Sequence, residues 1–243
     1  MLVASVTQAM PTPFPGPNAF GYVGSDIPLN VRNLLSSGDG TALNLADDEL
    51  SGPIDLGFTF DFFGNSYSSL NVGSNGFVQF DGTPGTGFGN PVTGCCTGQV
   101  LGDGTGLGNL IAGMWEDLNP TQGGDILYRT SGSEFVLGFY AVPHFFASEP
   151  VTFEIVLNGA SNDIELHYDS LQSDGGTHTL GITNIGDTDD LTLYRGTDIS
   201  QFADEGFLIS APSSGQPIPE PSALALFGLG IFSLAFLRRR TKV

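Results

Sequence analysis

The side chains that could do chemistry in this 243-residue chain are few: two carboxylates, three histidines, two cysteines and some acidic runs. Glu154 and Glu165 lie in neighbouring apolar runs, and two carboxylates about 5–10 Å apart are what glycoside cleavage needs. Carboxylates on neighbouring strands also arise by chance, and His144, His167 and His178 have no nucleophile motif such as G-x-S-x-G beside them. No set of residues fills the separate roles of an active site, so the chain is read as non-catalytic. Cys95 and Cys96 are adjacent in "GCCTG" and cannot staple distant segments. They can form a vicinal disulfide, an intermolecular bridge or two free thiols; the vicinal bridge at a loop tip is the reading adopted. No histidine stands near them at metal-ligand spacing.

Acidic residues gather in "ADDEL" (Asp47, Asp48, Glu49), in "GDGTGLGN" and in "GDTDD" (Asp187, Asp189, Asp190). Such loops can offer oxygen ligands to Ca²⁺, but none has the spacing of an EF-hand or a nonapeptide repeat. They are read as solvated turns, with no metal ligands assigned and no cofactor expected beyond a Ca²⁺ ion in such a turn. Asp117 and Asn119 are read as turn residues, and Trp115 as core.

The elements that would carry these residues are strands. "LGFTFDFF" sets Leu56, Phe58, Phe60 and Phe62 against Gly57, Thr59 and Asp61, a two-residue period. Asn75-Gly76 between apolar runs signals a hairpin whose register the sequence leaves open. Further strands are expected at 125–129, 134–142, 151–157, 163–168, 178–183, 191–194 and 207–209. The 35 Gly and 15 Pro fall mostly between such runs, and no helical period is evident from 20 to 210. These features predict an all-β fold, an antiparallel β-sandwich of jelly-roll type, over 20–210. One hairpin can be registered in advance. Pairing Leu157 with Ile164, Ile155 with Leu166 and Phe153 with Tyr168 leaves a loop of Gly159–Asn162. It also puts Glu154 opposite His167, as a surface contact on the outer face.

Charge divides the chain in two. Residues 1–219 hold Arg32, Arg129 and Arg195 against 25 acidic residues, a net charge of −22, whereas the remainder carries +3. Such a body repels phosphate backbones, which excludes nucleic acid as a partner. The 19 Phe argue for a packed core rather than disorder. Residues 1–19 are read as the remnant of a signal peptide or a flexible start, with the true start codon upstream of Met1. "APSSGQPI" (211–218) reads as an extended linker.

Pro219, Glu220 and Pro221 then precede an uncharged run, 222–237, and Arg238, Arg239 and Arg240. As a helix this run would reach about 24 Å, against a hydrocarbon core of about 30 Å. The arrangement in 219–243 resembles a PEP-CTERM sorting signal. That resemblance implies an exported protein of a Gram-negative bacterium, and a short transmembrane helix that resides transiently in the inner membrane. The Pro-Glu-Pro motif would be recognised by an exosortase that removes the helix. The prolines keep the approach extended, and the arginines hold the far end in the cytoplasm.

From about 50 to 195 the order of "LGFTFDFFGNSYSSLNVGSNGFVQFDG", "LIAGMWEDLNP", "GGDILYRT", "FVLGFYAVPHF", "VTFEIVLNGASNDIELHYDSL" and "TLGITN" resembles a nidogen-like extracellular domain. This implies a structural or adhesive module, at the cell surface or in an exopolysaccharide matrix or biofilm, with no catalytic residues to carry over. The competing class is a carbohydrate-binding module or carbohydrate-active enzyme on a β-sandwich, since fold alone does not decide function.

Overall fold

Alternation of apolar and polar residues produces strands wherever the turn residues permit. The computed structural model describes residues 14, 16–82, 85–86, 96–104 and 106–212. Its strands are β1 (Val23–Ile27), β2 (Thr41–Ala42), β3 (Glu49–Leu50), β4 (Ile54–Phe62), β5 (Asn65–Gly73), β6 (Phe77–Gln79), β7 (Gly85–Thr86) and β8 (Leu110–Trp115). They continue as β9 (Asp125–Ser131), β10 (Glu134–Pro143), β11 (Pro150–Asn158), β12 (Asp163–Leu171), β13 (His178–Thr183), β14 (Asp190–Gly196) and β15 (Glu205–Ser210). Met1–Ala211 form one compact unit and Pro212–Val243 a second. Of the second unit only Pro212 is among the described residues, so the linker beyond it, the Pro219–Pro221 motif, the expected helix 222–237 and Arg238–Arg240 lie outside them. Among the described residues no helix is long and apolar enough to cross a membrane.

All strand pairs are antiparallel. One sheet runs β1-β15-β12-β11-β10-β9-β2; the other runs β14-β13-β8-β6-β5-β3-β7, with β4 also paired to β5. The jelly-roll order expected from sequence does not form. In a jelly roll successive strands alternate between sheets, whereas here β9 to β12 pair as a meander within one sheet. The reason is local: short turns join these strands, and a short turn returns the chain beside the strand it left.

The two sheets share one core. Phe135, Leu137, Phe139, Phe153, Ile155, Leu157, Ile164 and Leu166 of the first pack with Val72, Val78, Ile111, Met114, Leu180 and Ile182 of the second. Phe14, ahead of β1, lies edge-on to Phe207 at 6.1 Å, so the packed body includes part of the N-terminal stretch. The β11–β12 hairpin has the anticipated register: Leu157 faces Ile164, Ile155 faces Leu166, Phe153 faces Tyr168, and Glu154 faces His167. The Asn75-Gly76 hairpin closes with a three-residue loop, pairing Gly73 with Phe77. Gly76, at φ 83°, occupies its left-handed position.

One expectation is corrected. Glu154 and His167 are not a surface contact; both are fully buried, because residues 28–37 fold over the outer face of this sheet. Leu34, in the single helical turn Leu34–Ser37, packs there with Leu127, Val136, Tyr140 and Val156. Glu154 accepts from the backbone N–H of Arg32 (2.7 Å) and Asn33 (2.8 Å) and from the Tyr140 hydroxyl (2.6 Å). The Asn30 N–H donates to His167 Nδ1, and His167 Nε2 lies 2.8 Å from Glu165 Oε2 and 2.9 Å from Arg32 Nη1. Arg32 links Glu165 and Glu134, and Arg129 links Glu134 and Asp39. Glu154 and Glu165 thus serve to dock a segment, each engaged by donors.

Two substitutions separate these roles. Glu154→Ala removes the acceptor of the buried Tyr140 hydroxyl and of two part-buried N–H groups and is expected to cost about 3 kcal/mol in urea unfolding. Glu165 is partly exposed, and hydrogen bonding from His167, aided by Arg32, holds its carboxyl below the usual glutamate range against the opposing effect of burial. A depressed folded pKa contributes stability above the unfolded value, near 4.5, and that stability is lost as pH falls through the folded value. Glu165→Gln should therefore cost only about 0.5 kcal/mol at pH 7 after screening, and the difference from wild type should vanish in acid.

Candidate functional site

At one end of the sandwich the ends of several strands bring together residues far apart in sequence. The Asn75-Gly76 loop builds the floor. The Gly76 carbonyl accepts from Gly113 N (3.1 Å) and Met114 N (3.0 Å), and Glu116 N donates to the Asn75 carbonyl at 3.2 Å. A Cβ on Gly76 would fall 2.1 Å from the Met114 oxygen, so only glycine permits this approach. Asn75 is itself buried, donating to Asp48 at 2.9 Å and accepting from Leu118 N at 3.0 Å. The turn thereby places Glu116 just after β8. Leu118 bridges to His144 just after β10, which seats that imidazole in the same end.

Four side chains converge there. Glu116, His144, Asp174 and His178 each offer one ligand atom, all within 4.8 Å of one another. Glu116, His144 and His178 are buried, and Asp174 stands at the exposed rim. His144 Nδ1 is 2.8 Å from Glu116 Oε2, and its Nε2 is 2.9 Å from the Gln172 carbonyl. Asp174 Oδ1 lies 4.0 Å from His144 Nδ1 and 4.0 Å from His178 Nε2, too far for a hydrogen bond. The rings of His144 and His178 meet edge to face at 5.2 Å. Burial opposes the charge on His144, but the hydrogen bonds to Glu116 and the Gln172 carbonyl outweigh it and raise its pKa. Burial lowers the pKa of His178. The Gly196 carbonyl, opposite it in the β13–β14 pair, favours the charged form slightly, yet neither ring nitrogen reaches hydrogen-bond geometry.

A second acidic group adjoins the first. Asp47, Asp48 and Asp117 present oxygens within 4.8 Å of one another. Burial, reinforced by Asp48, Glu116, Asp47 and Asp174, pushes the Asp117 carboxyl up to about 7. Asp117 is more than the turn residue the sequence suggested. Glu49 of the same run turns away, accepting from the Ala46 N–H.

The other sequence candidates scatter. Trp115 is fully buried, 5.2 Å from Phe77, as expected of a core residue. Asn119 caps the short 3-10 turn Pro120–Gln122 by accepting from Thr121 N at 3.0 Å. The proposed Cys95–Cys96 bridge involves Cys95, which lies outside the described residues. Asp187 is a correction: it is buried rather than solvated. Its carboxylate accepts from Gly102 N (2.8 Å), Gly106 N (3.1 Å) and the Thr183 hydroxyl (2.8 Å), which draws it inward to anchor the preceding glycine-rich loop. The His-carboxylate cluster was missed because Glu116, His144 and the Asp174–His178 segment are tens of residues apart, and only Asp174 and His178 lie close in sequence.

With the geometry in place, comparison with known proteins assigns the body. The family model described as NIDO related matches residues 32–218. The chain belongs to this NIDO-related family. A second model, the PEP-CTERM protein-sorting motif, matches 217–240. No curated protein and no solved structure matches the chain. The sorting motif marks this NIDO-related protein as an exported substrate of exosortase, processed at the membrane and directed to the surface. Both matches agree with the resemblances drawn from the strand order and from the Pro-Glu-Pro, apolar and arginine segments.

Loss of the Asp187 anchor should be readable directly. Asp187→Ala removes the acceptor for two loop amides and is expected to cost about 2–3 kcal/mol. Hydrogen exchange should show Gly102 and Gly106 losing protection while the β11–β12 hairpin keeps its own.

Proposed function

We propose that this protein is a non-catalytic surface module, structural or adhesive in an exopolysaccharide or biofilm matrix. It is delivered there by cleavage of its C-terminal signal. The observation that carries the reading is the succession of a NIDO-related body, 32–218, and a sorting motif, 217–240. The sequence supplies the rest of the path. Pro219–Pro221 hold the chain extended for the exosortase, and the run 222–237 sits transiently in the inner membrane of a Gram-negative cell. Arg238–Arg240 keep its end in the cytoplasm.

The body's chemistry supports a passive role. Most of its aromatic side chains pack into the main core, and Glu154 and Glu165 are consumed in docking residues 28–37. A glycan platform would need a row of exposed aromatic rings on one sheet. Among the described residues Phe146 is the one strongly exposed ring, and it lies in the turn between β10 and β11.

The path is tested in the parent organism. Mass spectrometry of the surface fraction should find the body without the peptide "LALFGLGIFSLAFLRRR". Glu220→Ala should leave membrane insertion intact while the unprocessed form accumulates, and replacing Arg238–Arg240 by glutamates should disturb orientation. Each apolar residue favours insertion by only about 0.3–0.6 kcal/mol, so the flanking charges decide which end stays inside. An intact C-terminal peptide on the surface, unchanged by loss of the exosortase, would make the segment a plain anchor.

A further inference from the structure

We propose that Glu116, His144, Asp174 and His178 bind a divalent transition-metal ion of the Zn²⁺ class that ties the ends of β8, β10 and β13 together. The geometric basis is proximity: side chains of three residue types each offer a ligand atom, and the four atoms all lie within 4.8 Å of one another. A tetrahedral ion with bonds of about 2.0–2.2 Å sets its donors roughly 3.3–3.6 Å apart. The 4.0 Å separations from Asp174 would close slightly, and the 2.8 Å contact of Glu116 with His144 would open slightly. Asp174 stands at the exposed rim, where its loop can make that adjustment.

Two independent observations point to a cation. His178 is fully buried, and both of its ring nitrogens lack a hydrogen-bond partner, with Nε2 directed at the Asp174 carboxylate. A buried imidazole without partners is costly unless something completes it. His144 presents the complementary problem. The Gln172 carbonyl can only accept, so it takes the Nε2–H. In the neutral ring, Nδ1 then aims its lone pair at the Glu116 carboxylate 2.8 Å away. Either a proton on Nδ1 or a metal ion between them satisfies both, and an imidazole whose other nitrogen donates to a backbone carbonyl is how ligating histidines are held.

The surroundings fit. A Cβ on Gly176 would come within 2.5 Å of Glu116 Oε1, and Gly176 N donates to Asp174 Oδ1 at 2.7 Å, so this glycine lets the rim loop close over the carboxylates. Asp47, Asp48 and Asp117 add negative charge alongside. Among the described residues no arginine forms an ion pair with any of these carboxylates. Arg32 and Arg129 are engaged on the outer face of the other sheet, and Arg195 donates to the Gly98 carbonyl. Two imidazoles select against Ca²⁺ and Mg²⁺, which take oxygen ligands.

The test uses the full, tag-free chain in detergent, stripped with chelator and titrated with ZnCl₂ or CaCl₂ by calorimetry and thermal denaturation. One Zn²⁺ per chain should bind and raise the melting temperature, and Co²⁺ should give the visible absorption of a tetrahedral site. His178→Ala and the rim variant Asp174→Asn should each weaken Zn²⁺ binding about tenfold or more. Because Asp174 is at the rim, its variant remains informative if His178→Ala folds poorly. The double variant Cys95→Ser, Cys96→Ser should bind as wild type. The proposal is overturned if Zn²⁺ fails to bind, if Asp174→Asn binds it unchanged, if the cysteine variant loses it, or if Ca²⁺ gives the larger stabilisation.

Discussion

The spacing of the two sheets is set where β8 crosses β11, and the rest of the molecule inherits it. Gly113 has no side chain, so Ile155 and Phe153 press against its backbone; a Cβ there would fall 2.5 Å from Ile155 and 3.0 Å from Phe153. Tyr168, fully buried on β12, donates its hydroxyl to the Gly113 carbonyl. Burial raises that phenol's pKa well above the usual tyrosine value, so it stays a donor. One contact thus combines dispersion with a hydrogen bond between layers. Any side chain at 113 would force the sheets apart, and close packing leaves little room to absorb the change.

Two features accompany that spacing, one on an outer face of the fold and one at an end. With the inner faces filled, the outer face of the β9–β12 meander still carries Val136, Tyr140 and Val156, which residues 28–37 cover. The cover costs the burial of Glu154 and His167, and both are compensated by backbone donors as buried polar groups require. At the end of the sandwich, β8, β10 and the β12–β13 loop terminate side by side, and the carboxylates and imidazoles they end on are left without the arginines that neutralise the outer face. The same acidic, lysine-free composition that suits an exported body therefore concentrates unbalanced negative charge at one place.

The body's strands were legible because a half-buried antiparallel strand writes its burial into every second residue. In β4, Leu56, Phe60 and Phe62 are fully buried while Asp55, Gly57, Thr59 and Asp61 are exposed. The β11–β12 register was legible too, since a slip by one residue would turn Phe153, Ile155 and Leu157 to the other face. The hairpin at Asn75-Gly76 was recognised but not registered: a two-residue turn would pair Val72 with Gln79, whereas the three-residue loop pairs it with Val78, and the loop is held by contacts of Gly76 with Met114 that are distant in sequence. The sheet order was misread because local alternation carries no information about which sheet a strand joins.

The amino-acid sequence by itself determined the strand-forming segments, the acidic balance of the body and the C-terminal sorting motif, since each is a property of neighbours along the chain. Tertiary structure alone decided that Glu154 is buried under residues 28–37, that Asp187 is an anchor, and that Glu116, His144, Asp174 and His178 meet. The physical reason is separation. These partners come from different strands and loops, and their side chains acquire burial, field and geometry only when the sheets have closed and the strand ends have been placed.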